Sequence, residues 1–315
     1  MARVFIDGQE GTTGLKIHSR LAQRADIELL TIDPALRKDP AARKALLNQA
    51  DVAILCLPDA AAREAVAMVE NPAVRVIDTS TAHRTSPGWA YGLVELSGAH
   101  REAVANATRI AVPGCHATGF LAAAYPLVSM GVLVPQALFT CHSITGYSGG
   151  GKKMIAEYEA PDKPEALESP RQYGLGLQHK HLPEMMHVAG LANPPVFNPI
   201  VCDFFAGMAV NIPLHVAQMQ TPMGQAELLE KLTGYYAGQR FVTVHSAPEG
   251  GFLAANEVVG TNDLRLYVCG NDTQVTLVSI LDNLGKGASG AAMQCMNIAL
   301  GLPEDTGFEE GMETA

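Results

Sequence analysis

One cysteine of the chain stands in a setting that favours nucleophilic chemistry. Cys115 follows a Pro-Gly turn and precedes small, helix-forming residues, in the sequence PGCHATGFLAAA of residues 113–124. We expect it at a helix N-terminus, where the helix dipole and unpaired backbone N–H groups favour the thiolate. A thiolate attacks carbonyl carbon, so the segment predicts covalent catalysis. The alternative is an inert, small apolar side chain, which we expect of the other cysteines.

Such chemistry needs a proton donor and acceptor near the sulfur, and the sequence HKHLPE of residues 179–184 offers two histidines. Pro183 and Glu184 fit the first turn of a helix, so His179 and His181 should stand where it begins. The alternative for either ring is a helix cap or a core hydrogen bond. We prefer His181, which is nearer the predicted helix start, although nothing in the sequence separates the two.

A glycine-rich turn, GQEGTTG at residues 8–14, follows the first predicted strand and opens the first predicted helix. Glycines there let the backbone approach a pyrophosphate bound at the helix N-terminus. The spacing is GxxGxxG rather than the usual GxGxxG, and the alternative is a plain tight turn. The turn predicts a dinucleotide site formed by Gly8, Gly11, Thr12, Thr13 and Gly14.

The signals for the nucleotide's ribose conflict. Asp33 ends the second predicted strand, where an acidic residue commonly binds the 2′-hydroxyl of NAD. Arg37 and Lys38 follow closely and could pair with the 2′-phosphate of NADP instead. Ser80 follows the fourth predicted strand, at the carboxyl edge where such sheets bind ligands.

A second glycine-rich stretch, GYSGGGKK at residues 146–153, could bind an oxyanion or a phosphate. Successive backbone N–H groups at Gly149 and Gly150, with the ammonium of Lys152, would form such a cradle. Composition alone favours a flexible surface loop with solvated lysines.

The pattern of apolar runs predicts two kinds of architecture. Up to residue 116, short strands alternate with helices, which is typical of a Rossmann-type, doubly wound parallel sheet. After about residue 135, longer strands with one clear helix indicate an α+β domain with a mostly antiparallel sheet. The predicted strands are 3–7, 27–33, 52–57, 74–78, 109–112, 138–145, 200–213, 240–246, 265–269 and 274–281, and the predicted helices are 13–23, 40–49, 60–69, 225–237 and 287–300.

Composition limits the class of protein. Hydrophobic residues make up 48% and charged residues 17% of the 315, which is enough for two domains with sizeable cores. The net charge of -10 argues against a general nucleic-acid or membrane-surface binder. With no run of about 18 apolar residues we expect no transmembrane helix. The cysteines are scattered, so we expect a reduced, cytoplasmic protein with no metal site.

Taken together with DTSTAHR at 78–84 and LDNLGKGASG at 281–290, these segments resemble the shorter form of the N-acetyl-γ-glutamyl-phosphate reductases of arginine biosynthesis. The resemblance runs nearly end to end. Aspartate-semialdehyde dehydrogenase is a wider relative and glyceraldehyde-3-phosphate dehydrogenase a more distant one. The HKHLPE sequence favours the acetylglutamyl enzyme over the aspartyl one.

The resemblance implies a nucleotide domain, 1–116, completed by a C-terminal helix at 286–302, with a substrate and dimerisation domain at 117–285 and an acidic tail at 303–315. It implies NADP(H) as cofactor, with Asn283 at the nicotinamide end. Arg84 would hold the carboxylate or phosphate of an acyl-phosphate substrate. Relatives of this kind are dimers or tetramers, so a homo-oligomer is expected.

The reaction so implied is reduction of N-acetyl-γ-glutamyl phosphate to N-acetylglutamate 5-semialdehyde and inorganic phosphate through a Cys115 thioester. Two alternatives stay open. One is an aspartate-semialdehyde-type or other acylating aldehyde dehydrogenase. The other is a non-catalytic NADP-binding sensor, which would need no reactive thiol.

Overall fold

The computed structural model describes residues 1–308, and this part of the chain divides into two compact units. The first unit contains Met1–Pro113 and the described residues from Ala288 onward. The second contains Gly114–Gly287. Each has its own sheet.

The first unit alternates strands and helices, as its apolar pattern predicts. Its strands are β1 Ala2–Asp7, β2 Ile27–Leu30, β3 Val52–Leu55, β4 Arg75–Asp78, β5 Ala90–Tyr91 and β6 Arg109–Ala111. Its helices are α1 Thr12–Leu21, α2 Pro40–Gln49, α3 Asp59–Met68, α4 Gly98–Asn106 and, after the second unit, α9 Gly290–Ala299.

Within the described residues, the strands of this unit form one sheet in the order β2-β1-β3-β4-β6-β5, and every pair is parallel. Both faces of the sheet are covered. Val4 of β1 packs into an apolar cluster with α1, α4 and α9, whereas its neighbour Phe5 packs into another with α2 and α3. Alternate side chains point to opposite faces of a strand, so two clusters mean helices on both sides. The doubly wound parallel sheet is confirmed.

The second unit is built on longer strands. They are β7 Thr140–Gly146, β8 Arg171–Gln172, β9 Val196–Cys202, β10 Met208–His215, β11 Val242–Ser246, β12 Leu264–Gly270 and β13 Gln274–Leu281. The helices are α5 Cys115–Ser129, α6 Gly151–Tyr158, α7 Leu182–Ala189 and α8 Gln225–Tyr235.

In the described part of this unit, the strand order is β11-β12-β13-β10-β7-β9-β8. Pairing is antiparallel except for the parallel pairs β11 with β12 and β7 with β9. The expected mostly antiparallel sheet with helices packed on it is confirmed. Helix α5 lies against this sheet, since the Ser279 hydroxyl of β13 donates to the carbonyl of Gly119 at 2.8 Å.

Three expectations about local structure are wrong. The apolar run 200–213 is two strands, because the chain turns between them at Gly207 (φ 115), where a β-carbon would lie 2.4 Å from the carbonyl oxygen of Ala255. Helices α6 and α7 accompany α8 in the second unit, so one clear helix is too few. Helix α4 has no predicted counterpart because Val104 is its sole fully buried apolar residue within the described structure.

The start of the expected acidic tail is held in place by a hydrogen bond from Arg24. Arg24 Nη1 donates to Asn297 Oδ1 at 2.7 Å and to the carbonyl of Thr306 at 3.3 Å. The remainder of the tail, from residue 309, lies outside the described residues. Among the described residues, no helix is long and apolar enough to cross a membrane.

Candidate active site

The turn after β1 has the geometry of a phosphate-binding turn. Gly8 has φ 88, and a β-carbon there would lie 2.4 Å from the carbonyl oxygen of Cys56. A β-carbon on Gly14 would lie 2.6 Å from the carbonyl oxygen of Gly8. Both positions therefore exclude any side chain, which is how a tight strand-to-helix turn brings its backbone close to a pyrophosphate.

Helix α1 begins directly after this turn. Gly11 is its N-cap, and the first intrahelical bond runs from the N–H of Leu15 to the carbonyl of Gly11 at 2.8 Å. The N–H groups of Thr12 and Thr13 consequently have no intrahelical acceptor and point out of the helix start. The predicted residues of the turn thus gather at one helix start, whose outward N–H groups fit a dinucleotide pyrophosphate.

A cavity of about 360 Å³ adjoins the turn. It is lined by Gly8 after β1 and Leu57 after β3, the two strands between which the chain order of the sheet reverses. Open parallel sheets bind nucleotides at this switch point, beyond the carboxyl ends of the strands.

In the structure, Asp33 and the pair Arg37 and Lys38, the two candidates for the ribose end of the nucleotide, have different surroundings. The Asp33 carboxylate accepts the N–H of Ala35 at 2.8 Å, so it is used in the local turn. Arg37 and Lys38 line the cavity, and Arg37 forms an ion pair with Glu10 there. Among the described residues Lys38 makes no ion pair, which leaves its ammonium available to a phosphate.

Arg43 also lines the cavity and is a residue that sequence reasoning missed. Its Nη2 donates to Asp7 Oδ2 at 2.8 Å, and the two side chains are 11% and 6% exposed. A buried, bidentate pair of this kind holds the start of α2 against the end of β1. Arg43 lies on α2, where it gives no local motif.

Ser80 and Arg84 lie at the carboxyl edge of the same sheet, where both side chains form hydrogen bonds within the protein. The Ser80 hydroxyl donates to the buried Asp78 at 2.7 Å and accepts the N–H of Ala82. Arg84 donates to the carbonyls of Val112 at 2.9 Å and Thr79 at 3.1 Å. These bonds fix the ends of β4 and β6, and a ligand role for either residue stays a prediction.

In the second unit, Cys115 is the first residue of α5 and is half-buried. Gly114 is the N-cap, and the first intrahelical bond joins the N–H of Thr118 to its carbonyl at 2.8 Å. The helix-start position expected for the cysteine is the one observed. Glu184, fully buried, accepts the N–H of Gly114 at 3.1 Å and so links the starts of α5 and α7.

The predicted histidines lie together at the start of α7. His181 is the buried N-cap residue, and its ring centroid is 4.7 Å from that of His179. Both rings also contact His116, the residue after the cysteine, at centroid distances of 5.5 Å and 5.4 Å. Tertiary folding therefore brings both candidate acid/base groups to the helix end that carries Cys115.

The two histidines differ in their surroundings. Nδ1 of His179 accepts the backbone N–H of His181 at 3.2 Å. Burial and the positive charge of Lys180 lower the pKa of His179 from 6.5 to about 4. At neutral pH His179 is therefore uncharged, with its single ring proton on Nε2.

His116 was missed because it stands inside the motif that drew attention to its neighbour. It is buried, and both of its nitrogens are hydrogen-bonded: Nδ1 lies 2.7 Å from Oγ of Ser143 and Nε2 lies 2.7 Å from the hydroxyl of Tyr173. Ser143 and Tyr173 lie on β7 and just after β8, far from Cys115 in sequence, so no spacing rule could have found them.

The second glycine-rich stretch is ordered differently from the expected loop. Residues 147–150 form a 3₁₀ turn, and α6 begins at Gly151, whose φ of 74 places it in the left-handed region. Lys152 lies on α6 and is exposed, as are Gly149 and Gly150. A surface helix thus replaces the predicted flexible loop, and the phosphate cradle stays a prediction.

Asn283 is buried and its carboxamide is used at both ends. Its Oδ1 accepts the N–H of Gly207 at 2.8 Å, and its Nδ2 donates to Oγ of Ser148 at 3.0 Å. The residue therefore joins the ends of three segments of the second unit. Its second Nδ2 proton is the one left for the ligand contact that sequence reasoning assigned to it.

Two family models match the chain in the order of its units. Residues 9–107 match the semialdehyde dehydrogenase NAD-binding domain, and residues 115–283 match the semialdehyde dehydrogenase dimerisation domain. A curated protein from Nostoc sp., N-acetyl-gamma-glutamyl-phosphate reductase 2, is 48% identical over 97% of this chain and 99% of its own length. The N-acetyl-gamma-glutamyl-phosphate reductase of Rhizobium etli is 47% identical over 95% and 98%.

The chain belongs to the N-acetyl-gamma-glutamyl-phosphate reductase family. Solved structures extend the comparison to the fold. Aspartate semialdehyde dehydrogenase from Francisella tularensis aligns with a TM-score of 0.73 at 13% identity, covering 95% of this chain and 99% of its own. This chain thus shares its fold with that aspartate semialdehyde dehydrogenase.

Proposed function

We propose that this protein reduces N-acetyl-γ-glutamyl phosphate to N-acetylglutamate 5-semialdehyde and inorganic phosphate, with NADPH as reductant, in arginine biosynthesis. The near full-length relatives named N-acetyl-gamma-glutamyl-phosphate reductase support the reaction. The observation that carries the mechanism is Cys115 as the first residue of α5, with the His179 and His181 rings gathered at the same helix end.

Cys115 is the proposed nucleophile. Its thiolate attacks the acyl carbon, a tetrahedral oxyanion forms, and inorganic phosphate leaves as the oxyanion collapses to a thioester. The first N–H groups of α5, which have no intrahelical acceptor, are the proposed donors to the oxyanion. Removing one such donor typically slows turnover about 10²–10³-fold. Arg84, Gly149, Gly150 and Lys152 are the residues we propose for the substrate's carboxylate and phosphate.

NADP(H) is the cofactor, and it supplies the hydride that reduces the thioester carbonyl. The glycine turn fits the pyrophosphate, since a β-carbon at Gly8 or Gly14 would clash with backbone carbonyls and the turn could not be so tight. Arg37 and Lys38 are the proposed partners of the 2′-phosphate, because they line the adjoining cavity while Asp33 is used in a turn. Ser80 and Asn283 remain proposed contacts nearer the reactive end.

His181 is the proposed acid/base. It gives a proton to the oxygen of the reduced thioester and takes it back as the C–S bond breaks, which releases the aldehyde and restores the Cys115 thiolate. The preference over His179 is supported by electrostatics. Nδ1 of His179 accepts the backbone N–H of His181, and the pKa of His179 is about 4. The ring therefore carries no acidic proton at neutral pH.

The comparisons also indicate what kinds of partner the enzyme has. The substrate is a small molecule, and the second unit matches a dimerisation domain, so the protein is oligomeric. We propose a homodimer or tetramer. We also propose the cytoplasm as its location, which the six free cysteines support.

Cys115→Ser tests this function directly. NADP⁺ reduction by N-acetylglutamate 5-semialdehyde and phosphate should fall to background in the variant, because serine is not ionised at neutral pH. Cys202→Ser, a change at another half-buried cysteine, is the matched control and should stay active. A fully active Cys115→Ser enzyme would rule the mechanism out. Preference for aspartate semialdehyde would move the protein to the related dehydrogenases, and no activity with either would favour a nucleotide sensor.

A further inference from the structure

The cavity beside the glycine turn is lined by five charged side chains, Asp7, Glu10, Arg37, Lys38 and Arg43. Arg43 forms an ion pair with Asp7. Arg37 forms a second ion pair, with Glu10. Among the described residues Lys38 forms none. The cavity wall therefore offers a single positive charge that no carboxylate already neutralises.

One such charge does not balance the 2′-phosphate of NADPH. A phosphate monoester carries a charge of about −1.5 to −2 at pH 7, so the ammonium of Lys38 leaves part of it uncompensated. A second cation has to come from one of the two ion pairs on the cavity wall. The burial of each pair decides which of them can open.

The pair of Asp7 with Arg43 is buried and has two hydrogen bonds. The side chains are 6% and 11% exposed, and Nε and Nη2 of Arg43 both donate to Oδ2 of Asp7, at 3.1 Å and 2.8 Å. Opening this pair would leave a buried carboxylate without a partner, which is strongly unfavourable. We expect it to stay closed when a nucleotide binds.

The pair of Glu10 with Arg37 is open to water. The side chains are 59% and 48% exposed, and Nη1 of Arg37 donates to Oε1 of Glu10. Exposed ion pairs contribute little to stability, because water solvates both partners once they separate. Arg37 can therefore exchange the carboxylate for a phosphate, whose oxygens accept the two parallel N–H bonds of a guanidinium.

The exchange leaves the carboxylate of Glu10 close to the bound phosphate. Glu10 lies within the glycine turn, two residues after Gly8 and directly before Gly11, the N-cap of α1. Its backbone is thus part of the turn that is proposed to bind the pyrophosphate, and its side chain lines the same cavity as Arg37 and Lys38. Like charges at this separation repel each other.

We propose that Glu10 is a specificity-determining residue, which competes with the 2′-phosphate for Arg37 and so weakens the preference for NADPH over NADH. This inference rests on the proposed NADP(H) site. NADH has a hydroxyl in place of the 2′-phosphate, so it binds without opening the pair of Glu10 with Arg37. The step is an exchange of ion pairs, and no covalent bond forms or breaks.

Isothermal titration of NADPH and of NADH into the protein tests the preference without turnover. In Glu10→Gln the Kd for NADPH should fall about three- to tenfold more than the Kd for NADH, because Arg37 is released and a repelling charge is removed. An effect of Glu10 on the pyrophosphate, which both cofactors have, cancels in this comparison. Glu70→Gln is the matched control, since Glu70 forms another exposed pair, with Lys44, and does not line the cavity. It should leave both Kd values unchanged.

A double-mutant cycle with Arg37→Gln tests the competition itself. In the Arg37→Gln protein there is no pair to open, so the gain from Glu10→Gln should fall to about twofold or less, the part due to direct repulsion. An equal gain with and without Arg37 would mean that Glu10 acts on the phosphate through its charge alone, and it would overturn the competition. Thermal melting establishes that each variant is folded.

The outcomes separate this inference from the proposed function. If NADPH does not bind to the wild-type protein, the proposed NADP(H) site fails, and this inference fails with it. If NADPH binds but Glu10→Gln leaves both Kd values in place, Glu10 does not compete for Arg37, while the proposed function stands. Weaker binding of NADH in Glu10→Gln, with NADPH unchanged, would also overturn the inference, since the carboxylate would then bind the 2′-hydroxyl of the ribose.

Discussion

Gly287 lies directly against Cys115. A β-carbon at position 287 would be 2.7 Å from the β-carbon of Cys115, and 3.2 Å from its α-carbon. Real side chains do not approach so closely, and the atoms met are near the backbone rather than at the end of a flexible chain. Position 287 therefore fixes how the start of α5 packs, although it is far from the cysteine in sequence.

Gly287→Ala should displace Cys115 and slow the reductase reaction about a hundredfold, because a shift of 1 Å at a reacting group can have that effect. Turnover and the iodoacetamide reaction of Cys115 are the measurements. Gly234→Ala on α8 is the control, since nothing lies within 4 Å of a β-carbon there. It should leave turnover unchanged and stabilise the helix by about 0.5–1 kcal/mol. Equal activity of both variants would show that the contact at 287 is absorbed without moving the cysteine.

The two candidate acid/base histidines should separate in their pH–rate profiles. His181→Asn should lower kcat about 10²–10⁴-fold and remove the limb of the profile that reports the acid/base group. His179→Asn should retain that limb, because His179, with a pKa of about 4, does not titrate between pH 6 and 8. Loss of the limb in His179→Asn alone would exchange the two roles.

His116 should make stability depend on pH. Its pKa is about 3 in the folded protein against 6.5 when unfolded, so the unfolded chain binds the extra proton first as the pH falls. The contribution is fully present above pH 6.5 and is lost as the pH falls towards the folded pKa, by about 1.4 kcal/mol per pH unit.

His116→Gln keeps a hydrogen-bonding side chain but does not titrate. The loss in free energy of unfolding between pH 7 and pH 5 should therefore be about 2 kcal/mol smaller than in the wild type. Urea unfolding followed by far-UV circular dichroism measures it, because the single tryptophan, Trp89, belongs to the first unit and would report on that unit alone. The same pH dependence in both proteins would mean that His116 is not held neutral.

Lys38 should distinguish the phosphorylated cofactor from the unphosphorylated one. Lys38→Gln removes a cation that lines the cavity, so the Kd for NADPH should rise about tenfold or more while the Kd for NADH stays constant. Asp33→Asn is the control: asparagine can still accept the N–H of Ala35, and neither Kd should change. Isothermal titration measures both. Equal weakening of the two cofactors by Lys38→Gln would place its ammonium away from the 2′-phosphate.

Local sequence patterns determined the features that depend on neighbours along the chain. The glycine turn is one, because the positive φ of Gly8 and the close approach of Gly14 to Gly8 both arise within a single strand–turn–helix unit. The helix start at Cys115 and the proline-led start of α7 are others, since caps and first-turn preferences act over a few residues. The alternation of strands and helices was sufficient to predict the parallel sheet.

Tertiary structure decided what lies between distant segments. The sequence left Asp33 and the pair Arg37 and Lys38 in conflict, and only the folded structure showed that the Asp33 carboxylate accepts the N–H of Ala35 while Arg37 and Lys38 line the cavity. Tertiary structure also divided the apolar run 200–213 into two strands at Gly207, because packing against Ala255 imposes a backbone conformation that apolar content does not reveal. These outcomes depend on backbone approach in space.

The chemistry of the candidate site divides in the same way. The sequence by itself determined that Cys115 begins a helix and that two histidines begin another, because both facts are local. Only the tertiary structure showed that His116, Ser143 and Tyr173 form one hydrogen-bonded chain beside them. The state of each buried group depends on which neighbours replace water, and those neighbours come from segments that are close in space but far apart along the chain.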